Sequence, residues 1–239
     1  MSVEQTTRFA VAFASEIARS PSPRLCSVLA DVLSVSGAGI TVMGGGQAGP
    51  VCVSNQRVAA LEDLQFTMGV GPCRDAFRTG APVHAPTFDP SIIARWPAFV
   101  DVARESGISS VFAYPLMTKG AKVGVLTLYQ DGEGDLSADQ HDDSLAISRI
   151  LTETVLSMQD AAPAGELAAG LEASVDYRAQ VHQASGMVAV QLGVPVAEAL
   201  LRIRARAFAV GRPIGLVAGD IVTRKLRFAE DGDEVGGGA

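Results

Sequence analysis

Residues 177–228 read YRAQVHQASGMVAVQLGVPVAEALLRIRARAFAVGRPIGLVAGDIVTRKLRF, and their pattern determines the architecture of the C-terminal part of the chain. Apolar side chains recur at spacings of three and four in three successive segments, which predicts three short helices. Gly193 ends the first segment and Pro195 opens the second, as glycine and proline commonly do at helix ends and starts. Gly211 closes the second segment, and a third helix is expected over residues 214–226.

The second and third predicted helices are rich in basic residues. Between residues 202 and 227 the only acid is Asp220, whereas the cations are Arg202, Arg204, Arg206, Arg212, Arg224, Lys225 and Arg227. Arg202 and Arg206 lie one helical turn apart, so they repel each other unless an anion lies between them. Because guanidinium groups pair bidentately with phosphate and stack on unpaired bases, the pattern favours RNA as a ligand. The alternative is a solvated helical face with intramolecular salt bridges.

The same stretch resembles the ANTAR family, the RNA-binding modules of bacterial antitermination regulators. The matching positions are Arg178, Val181, Ala184, Gly186, Ala199, Ile203, Arg204, Ala207, Ile214, Val217 and Ala218. Ser185 stands where the family has a lysine, so one cation is missing from the helix face that contacts RNA in the family. The RNA-binding residues that the resemblance and the charge pattern together indicate are Arg178, Ser185, Arg202, Arg204, Arg206, Arg212, Arg224 and Lys225.

Length and composition indicate a soluble chain of two domains. The 239 residues are 48% hydrophobic and 19% charged, which is sufficient for hydrophobic cores. No run of about 18 uncharged apolar residues occurs, so no membrane-spanning helix is expected. The start MSVEQTTRF has an early glutamate and no uninterrupted apolar segment, which predicts no signal peptide and a cytoplasmic location. The net charge of -7 is only weak evidence against nucleic-acid binding, because binding depends on the electrostatic potential at the binding surface and not on the total charge.

The three cysteines, Cys26, Cys52 and Cys73, lack the spacing of a metal site, and no metal site is predicted. In a reducing compartment all three are expected to be free thiols, with Cys26 and Cys52 in the core. Cys73 follows a turn and starts a predicted helix, where a lowered thiol pKa would let it sense oxidants or metals. The favoured alternative is that Cys73 is a small buried hydrophobic residue.

The N-terminal part alternates short helices with strands that are joined by hairpin turns. Helices are predicted over residues 3–19, 22–34, 58–67 and 138–159, over 90–105 as one element, and from Cys73 onward. Strands are predicted over residues 40–43, 51–54, 81–84, 107–116 and 123–129. This order predicts an α+β fold with an antiparallel sheet flanked by helices.

Residues 20–160 resemble a GAF domain. The resembling segments are Gly71-Pro72-Cys73, Ala76-Phe77-Arg78-Thr79-Gly80, Arg95-Trp96-Pro97, Ser110-Val111, Pro115-Leu116 and Gly124-Val125-Leu126. The resemblance implies a sensor or dimerisation domain with a cavity between the sheet and the segment over it. The expected pocket for a small molecule is formed by Phe66, Cys73, Trp96, Phe112 and Tyr114. The alternative is that these side chains simply pack together; no cofactor is predicted, and the identity of the GAF ligand stays open.

Four regions are expected along the chain. They are a GAF-like domain over residues 1–160, a linker over 161–176 that can form a short helix, an ANTAR-like three-helix domain over 177–228, and a disordered acidic tail over 229–239. Pro163 is expected to interrupt any helix that continues into the linker, because proline inside a helix costs about 3 kcal/mol.

The resemblances imply an RNA-binding antitermination regulator rather than an enzyme. Such a protein binds paired stem-loops in nascent RNA as a homodimer, under the control of its GAF domain. Three alternatives are open: the C-terminal helices dock a protein partner, the chain is a cysteine-dependent reductase of methionine sulfoxide, or the ligand is DNA. The third helix has few polar residues that could read base edges, which argues against DNA.

Overall fold

The computed structural model describes residues 24–44, 47–119, 121–161, 173–210, 212 and 214–228. Contacts divide the chain into two units, Met1–Ser174 and Val175–Ala239. The helix predicted over residues 3–19, most of the predicted linker and the acidic tail lie outside the described residues.

The first unit is built on a five-stranded antiparallel sheet with the strand order β2-β1-β5-β4-β3. Its strands are β1 (Gly37–Gly44), β2 (Gln47–Val53), β3 (Val83–Ala85), β4 (Ser110–Met117) and β5 (Lys122–Gln130). Its helices are α1 (Arg24–Leu33), α2 (Gln56–Met68), α3 (Pro72–Thr79), α4 (Pro90–Arg95), α5 (Pro97–Glu105) and α6 (Ala138–Ala161). The predicted antiparallel sheet with flanking helices is confirmed.

Side chains of the sheet alternate between two hydrophobic cores, as the period of two in a strand requires. On β4 and β5, Phe112, Tyr114 and Leu126 pack in a core with α1 and α6. Val111 and Ala113 face the opposite side, in a core with α2, α3 and α5. The sheet is therefore the middle layer of three, with helices on both faces.

Short sequence signals set the helix boundaries in this unit. The Asn55 side chain accepts a hydrogen bond from the Val58 N–H and caps α2, and Gly69 ends α2 in a left-handed conformation with φ 69°. The single helix predicted over residues 90–105 is wrong, because two helices meet at Trp96 with φ −138° and ψ 62°. Pro97 explains the break, since proline disfavours helical geometry at the preceding residue.

A disulfide joins Cys26 on α1 to Cys52 on β2, with a Cα–Cα distance of 5.7 Å. The prediction of three free thiols is therefore wrong for these two residues, whereas their predicted burial is confirmed at 0% and 8% exposure. The pairing depends on the packing of a helix against a strand, which spacing along the chain does not reveal. Cys73 is free and buried.

The second unit contains three helices, α7 (Ala173–Leu192), α8 (Val196–Ala209) and α9 (Ile214–Val222). Gly193 has φ 63° directly after α7, as its predicted role at a helix end requires. The buried side chains at helical spacing are Val181, Ala184, Val188, Ala199, Ile203, Ala207, Ile214, Val217, Ala218 and Ile221. α9 is shorter than predicted, because Arg224 adopts a left-handed φ of 62°.

Among the described residues, no single helix has the length and apolar character needed to cross a membrane. One pair of helices, Ala179–Leu192 and Val196–Ala209, meets the criterion of length and composition only when taken together, and it is bent by 105°.

Candidate functional site

The face of the sheet that α2 and α3 cover contains a group of buried polar side chains. This group, the buried polar cluster, consists of Thr41, Glu62, Gln65, Cys73, Thr127 and Tyr129. The Tyr129 hydroxyl donates to Glu62 Oε1 at 2.7 Å, and the Thr41 hydroxyl donates to Oε2 at 2.8 Å. Gln65 Nε2 donates to the Tyr129 oxygen at 3.1 Å. Gln65 Oε1 accepts from the Cys73 N–H at 2.8 Å, so Gln65 connects the phenol to the start of α3.

Two glycines make room for these polar side chains. A Cβ at Gly39 on β1 would lie 3.1 Å from Glu62 Oε1, so the bare backbone at this position lets the carboxyl group approach the sheet. Gly71 has φ 136°, and a Cβ there would lie 2.6 Å from Gln65 Cγ. Thr127 on β5 pairs with Gly39 in the sheet register, which places it on the same face as the carboxyl group. The local backbone is therefore shaped around Glu62 and Gln65.

Burial governs the protonation of the cluster. It raises the pKa of Glu62, and hydrogen bonds from Tyr129 and Thr41 offset part of that rise. Burial also raises the pKa of the Cys73 thiol well above its usual value, and the charge of Glu62 adds to the rise. The burial of Cys73 agrees with the favoured interpretation of a small buried residue, and the alternative of a lowered thiol pKa at the start of α3 is wrong. Cys73 stays protonated and packs as a small buried side chain.

Replacing Glu62 with glutamine is expected to change how stability depends on pH. Because the folded-state pKa of Glu62 is raised, its contribution to stability is complete below the unfolded-state pKa of about 4.3 and is lost as pH rises through the folded-state pKa. The wild type should therefore lose stability relative to Glu62→Gln as pH rises, by about 1.4 kcal/mol for each unit by which the pKa is raised. Urea unfolding at a series of pH values measures this difference.

The variant Tyr129→Phe provides a matched comparison, because it removes one donor to the buried carboxyl group. It should raise the folded-state pKa of Glu62 further and increase the total loss of stability as pH rises. Parallel pH profiles for the wild type and Glu62→Gln would show that Glu62 does not titrate differently in the folded state.

The five residues predicted to line one ligand pocket do not lie together. Trp96 and Cys73 belong to the core on one side of the sheet, and Phe112 and Tyr114 belong to the core on the other side. Phe66 lies half-buried on α2. The prediction of a single pocket is wrong, because Phe112 and Tyr114 are two residues apart on β4 and both point away from α2 and α3.

The contacts of Trp96 and Tyr114 hold elements of the fold together and do not line a pocket. Trp96 Nε1 donates to Asp75 at 3.1 Å, and the Arg95 guanidinium lies 4.7 Å from the centre of the Trp96 ring. The Tyr114 hydroxyl lies 3.0 Å from His141 Nδ1 on the other face of the sheet. These contacts tie α3 to α4 and β4 to α6, respectively.

Sequence reasoning missed Thr41, Glu62, Gln65, Thr127 and Tyr129, which form most of the buried polar cluster. A usable signal lay in β5, where Thr127 and Tyr129 alternate with Leu126 and Leu128 in an otherwise apolar strand. No comparable signal marked Glu62, because carboxylates on helices are mostly exposed. Within the described residues, no group of three or more His, Cys, Asp or Glu side chains is placed to hold a metal ion.

In the second unit, basic side chains lie on α8, in the segment between α8 and α9, and after α9. This set, the basic surface, consists of the exposed residues Arg202, Arg212, Arg224, Lys225 and Arg227 and the half-buried Arg206. Arg202 pairs with Glu198 at 2.8 Å, and Arg212 pairs with Asp220 at 2.8 Å. The two guanidinium side chains are 44% and 46% exposed. Because exposed ion pairs contribute about 0–1 kcal/mol, an incoming phosphate can replace either carboxylate at small cost.

Three predicted RNA-binding residues occupy other positions. Ser185 is fully buried and its hydroxyl donates to the Val181 carbonyl, so its assignment as an RNA contact is wrong. A small hydroxyl at this position suits the interior of the bundle, where the lysine of the ANTAR pattern would be desolvated. Arg204 is half-buried, and Arg178 lies in α7.

Residues 2–146 match the family model of the GAF domain, and the chain belongs to this family. A comparison with curated proteins finds no match. Structural similarity extends to the GAF domain of an Acinetobacter phosphoenolpyruvate-protein phosphotransferase, with 14% identity, a TM-score of 0.47, and coverage of 67% of this chain and 98% of that one.

Two further similar structures come from proteins with different activities. The GAF domain of a two-component sensor histidine kinase from Bacillus halodurans is 11% identical, with a TM-score of 0.41 and coverage of 66% and 95% of the two chains. A type II free methionine-R-sulfoxide reductase from Thermoplasma acidophilum is 16% identical, with a TM-score of 0.44 and coverage of 60% and 96%. At this level of similarity, neither structure assigns a function to this chain.

Proposed function

We propose that the chain is a transcription antitermination regulator whose C-terminal three-helix unit binds hairpin RNA under the control of its GAF domain. The observation that supports this proposal is the basic surface of the second unit. Over residues 196–228, seven cations face two acids, Glu198 and Asp220. A local excess of this kind attracts a polyanion even though the whole chain carries a net charge of -7.

The positions of the cations suit a folded RNA better than a small anion. Arg202 and Arg206 lie one turn apart on α8, and Arg212 lies beyond the end of that helix. Arg224 and Lys225 are exposed where the chain leaves α9. Cations spread over α8, the segment after it and the segment after α9 can contact several phosphates of one backbone, and each such contact releases counterions and adds to affinity.

Antitermination follows from the resemblance of residues 177–228 to ANTAR modules. In this proposal the protein holds two stem-loops of the nascent transcript, which prevents an overlapping terminator hairpin from forming. Two loops require two binding surfaces, so a homodimer is the proposed active form, and the second loop binds at a high effective concentration. The GAF domain then needs only to change the balance between two dimer arrangements by a few kcal/mol.

The proposed small-molecule ligand of the GAF domain lies on the side of the buried polar cluster. Thr127 Oγ1 is buried and makes no hydrogen bond of standard geometry among the described residues. A buried hydroxyl without a partner costs free energy, which a polar ligand can recover by supplying that partner. Glu62 and Cys73 lie close enough for the Thr127 hydroxyl to lower the pKa of both.

The cysteine arrangement gives no support to a reductase. Such an enzyme needs a reactive thiolate and a second cysteine beside it. Cys73 packs in the core with α2 and α3, whereas Cys26 and Cys52 are joined to each other in the core on the opposite side of the sheet. The raised pKa of Cys73 also disfavours a thiolate. We therefore propose a regulator without enzymatic activity.

Titration of the full-length protein with hairpin RNA tests the proposed function. Two RNAs with the same stem are compared, one closed by a loop and one a blunt duplex without a loop. The protein should shift the hairpin at low salt, bind the duplex more weakly, and lose affinity steeply as salt rises. If the protein binds neither the hairpin nor the duplex at low salt, the proposal is contradicted.

A further inference from the structure

The outward face of α8 carries two large apolar side chains, Leu201 and Phe208. Leu201 is 60% exposed and Phe208 is 51% exposed. With Ala205 between them, they follow spacings of four and three and so form one line along the helix, called here the α8 stripe. Ala199, Ile203 and Ala207 are buried on the other side. The apolar residues of the stripe therefore do not serve the core of the three-helix unit.

The half-buried Arg204 and the exposed Arg212 lie four residues before and after the exposed aromatic ring at the end of this stripe. Arg204 lies four residues before Phe208, a spacing that makes them neighbours on a helix surface. Arg212 follows four residues after it, and its N–H donates to the Ala207 carbonyl at 3.0 Å, which holds it against the last turn of α8. Arg202 and Arg206 lie along one flank of the stripe. The ring thus lies on a cationic surface.

We infer that Phe208 is a stacking platform for an unpaired base of the RNA loop, with the neighbouring arginines on the flanking phosphates. This inference rests on the proposed function and specifies which part of the RNA the surface recognises. Unpaired loop bases are the usual targets of sequence-selective RNA recognition, and they stack on exposed aromatic side chains. Leu201 and Ala205 extend the apolar strip along which the base edge or ribose packs.

Charge complementarity favours RNA over the other occupants of an apolar helix face. A second copy of α8 would bring its own arginines against these, and like charges in an interface are repulsive. A lipid surface would meet Glu198 within the same face, and the small Ala205 and Ala209 offer little apolar area for insertion. A loop supplies phosphates and an exposed aromatic face together.

The test compares aromatic and aliphatic side chains at position 208 in the full-length protein. Hairpins that bind the wild type are selected from a pool with randomised loops, and 2-aminopurine is placed at each loop position in turn. Phe208→Leu keeps the apolar size without the aromatic face, Phe208→Tyr restores the ring, and Val190→Ala removes an exposed apolar side chain from α7 as a control. Circular dichroism checks that each variant is folded.

Stacking predicts that Phe208→Leu weakens hairpin binding about tenfold, while the slope of affinity against salt stays unchanged. Binding of the wild type and of Phe208→Tyr should quench the fluorescence of 2-aminopurine at one loop position, and Phe208→Leu should abolish that quenching. Val190→Ala should bind like the wild type.

Three results would overturn the inference. They differ in whether they also reject the proposed function of RNA binding. If the wild type selects no hairpin, the proposed function fails together with the stacking role. If Phe208→Leu binds and quenches like the wild type, only the stacking role fails. If Phe208→Leu leaves RNA binding intact but abolishes dimerisation or binding to vesicles of anionic phospholipid, the α8 stripe serves another copy or a membrane instead.

Discussion

Exchanging Arg202, Arg206 and Arg212 together for glutamine is expected to weaken the binding of hairpin RNA by about 100-fold. Each of these side chains can contact a phosphate, so the slope of log affinity against log salt should also decrease by about two to three. The ion pairs of Arg202 with Glu198 and of Arg212 with Asp220 are at least partly exposed and contribute little to stability. Fluorescence anisotropy with a labelled hairpin over a series of salt concentrations measures both effects.

A charge-matched control separates local contact from net charge. Lys119, Lys122 and Arg149 are exposed in the first unit, and their exchange for glutamine removes the same total charge. That variant should bind RNA with nearly the affinity and salt slope of the wild type. If both triple variants lose affinity equally, binding depends on overall charge, and the basic surface has no special role.

A second large effect is expected from Gly124→Ala, which should destabilise the GAF unit by about 3 kcal/mol or more. A Cβ at Gly124 would lie 2.3 Å from the Thr41 carbonyl oxygen and 3.1 Å from Val42 Cα. Both atoms belong to the backbone of β1, which pairs with β5 in the centre of the sheet, so no side chain can move aside. The strands must separate locally to accept the methyl group.

Gly132→Ala is the matched control, because a Cβ there has no neighbour within 4 Å. Its effect on the free energy of unfolding should stay within about 0.5 kcal/mol. Urea unfolding followed by Trp96 fluorescence reports on this unit, since Trp96 is buried in the core with α2, α3 and α5. Equal stability of the two variants would show that β1 and β5 do not approach each other as closely as described.

Periodicity and chain breakers predicted most elements of the fold but not the site. Apolar spacing identifies a strand or helix and its buried side, and glycine or proline marks its ends, as at Gly193 and Pro97. The same spacing does not say which of two cores a strand residue faces. Phe112 and Tyr114 were therefore assigned to the pocket side, although they pack against α1 and α6.

The remaining errors involve contacts between distant parts of the chain. The Cys26–Cys52 disulfide requires α1 to pack on β2, and the protonation of Glu62 depends on α2 covering β1 and β5. Ser185 was assigned by its match to a family position, but the side of α7 on which it lies faces the bundle interior. These features depend on tertiary packing, which the local sequence pattern does not encode.

Amide hydrogen exchange of the full-length protein with and without hairpin RNA measures whether the C-terminal helices bind RNA. We expect slower exchange in α8 and in residues 223–228 when RNA is bound, since Phe208 and most of the basic surface lie there. Exchange in α1 and β2 should not change through direct contact with RNA. Protection that is absent from α8, or that appears only in the GAF unit, would contradict an RNA-binding surface on the C-terminal helices.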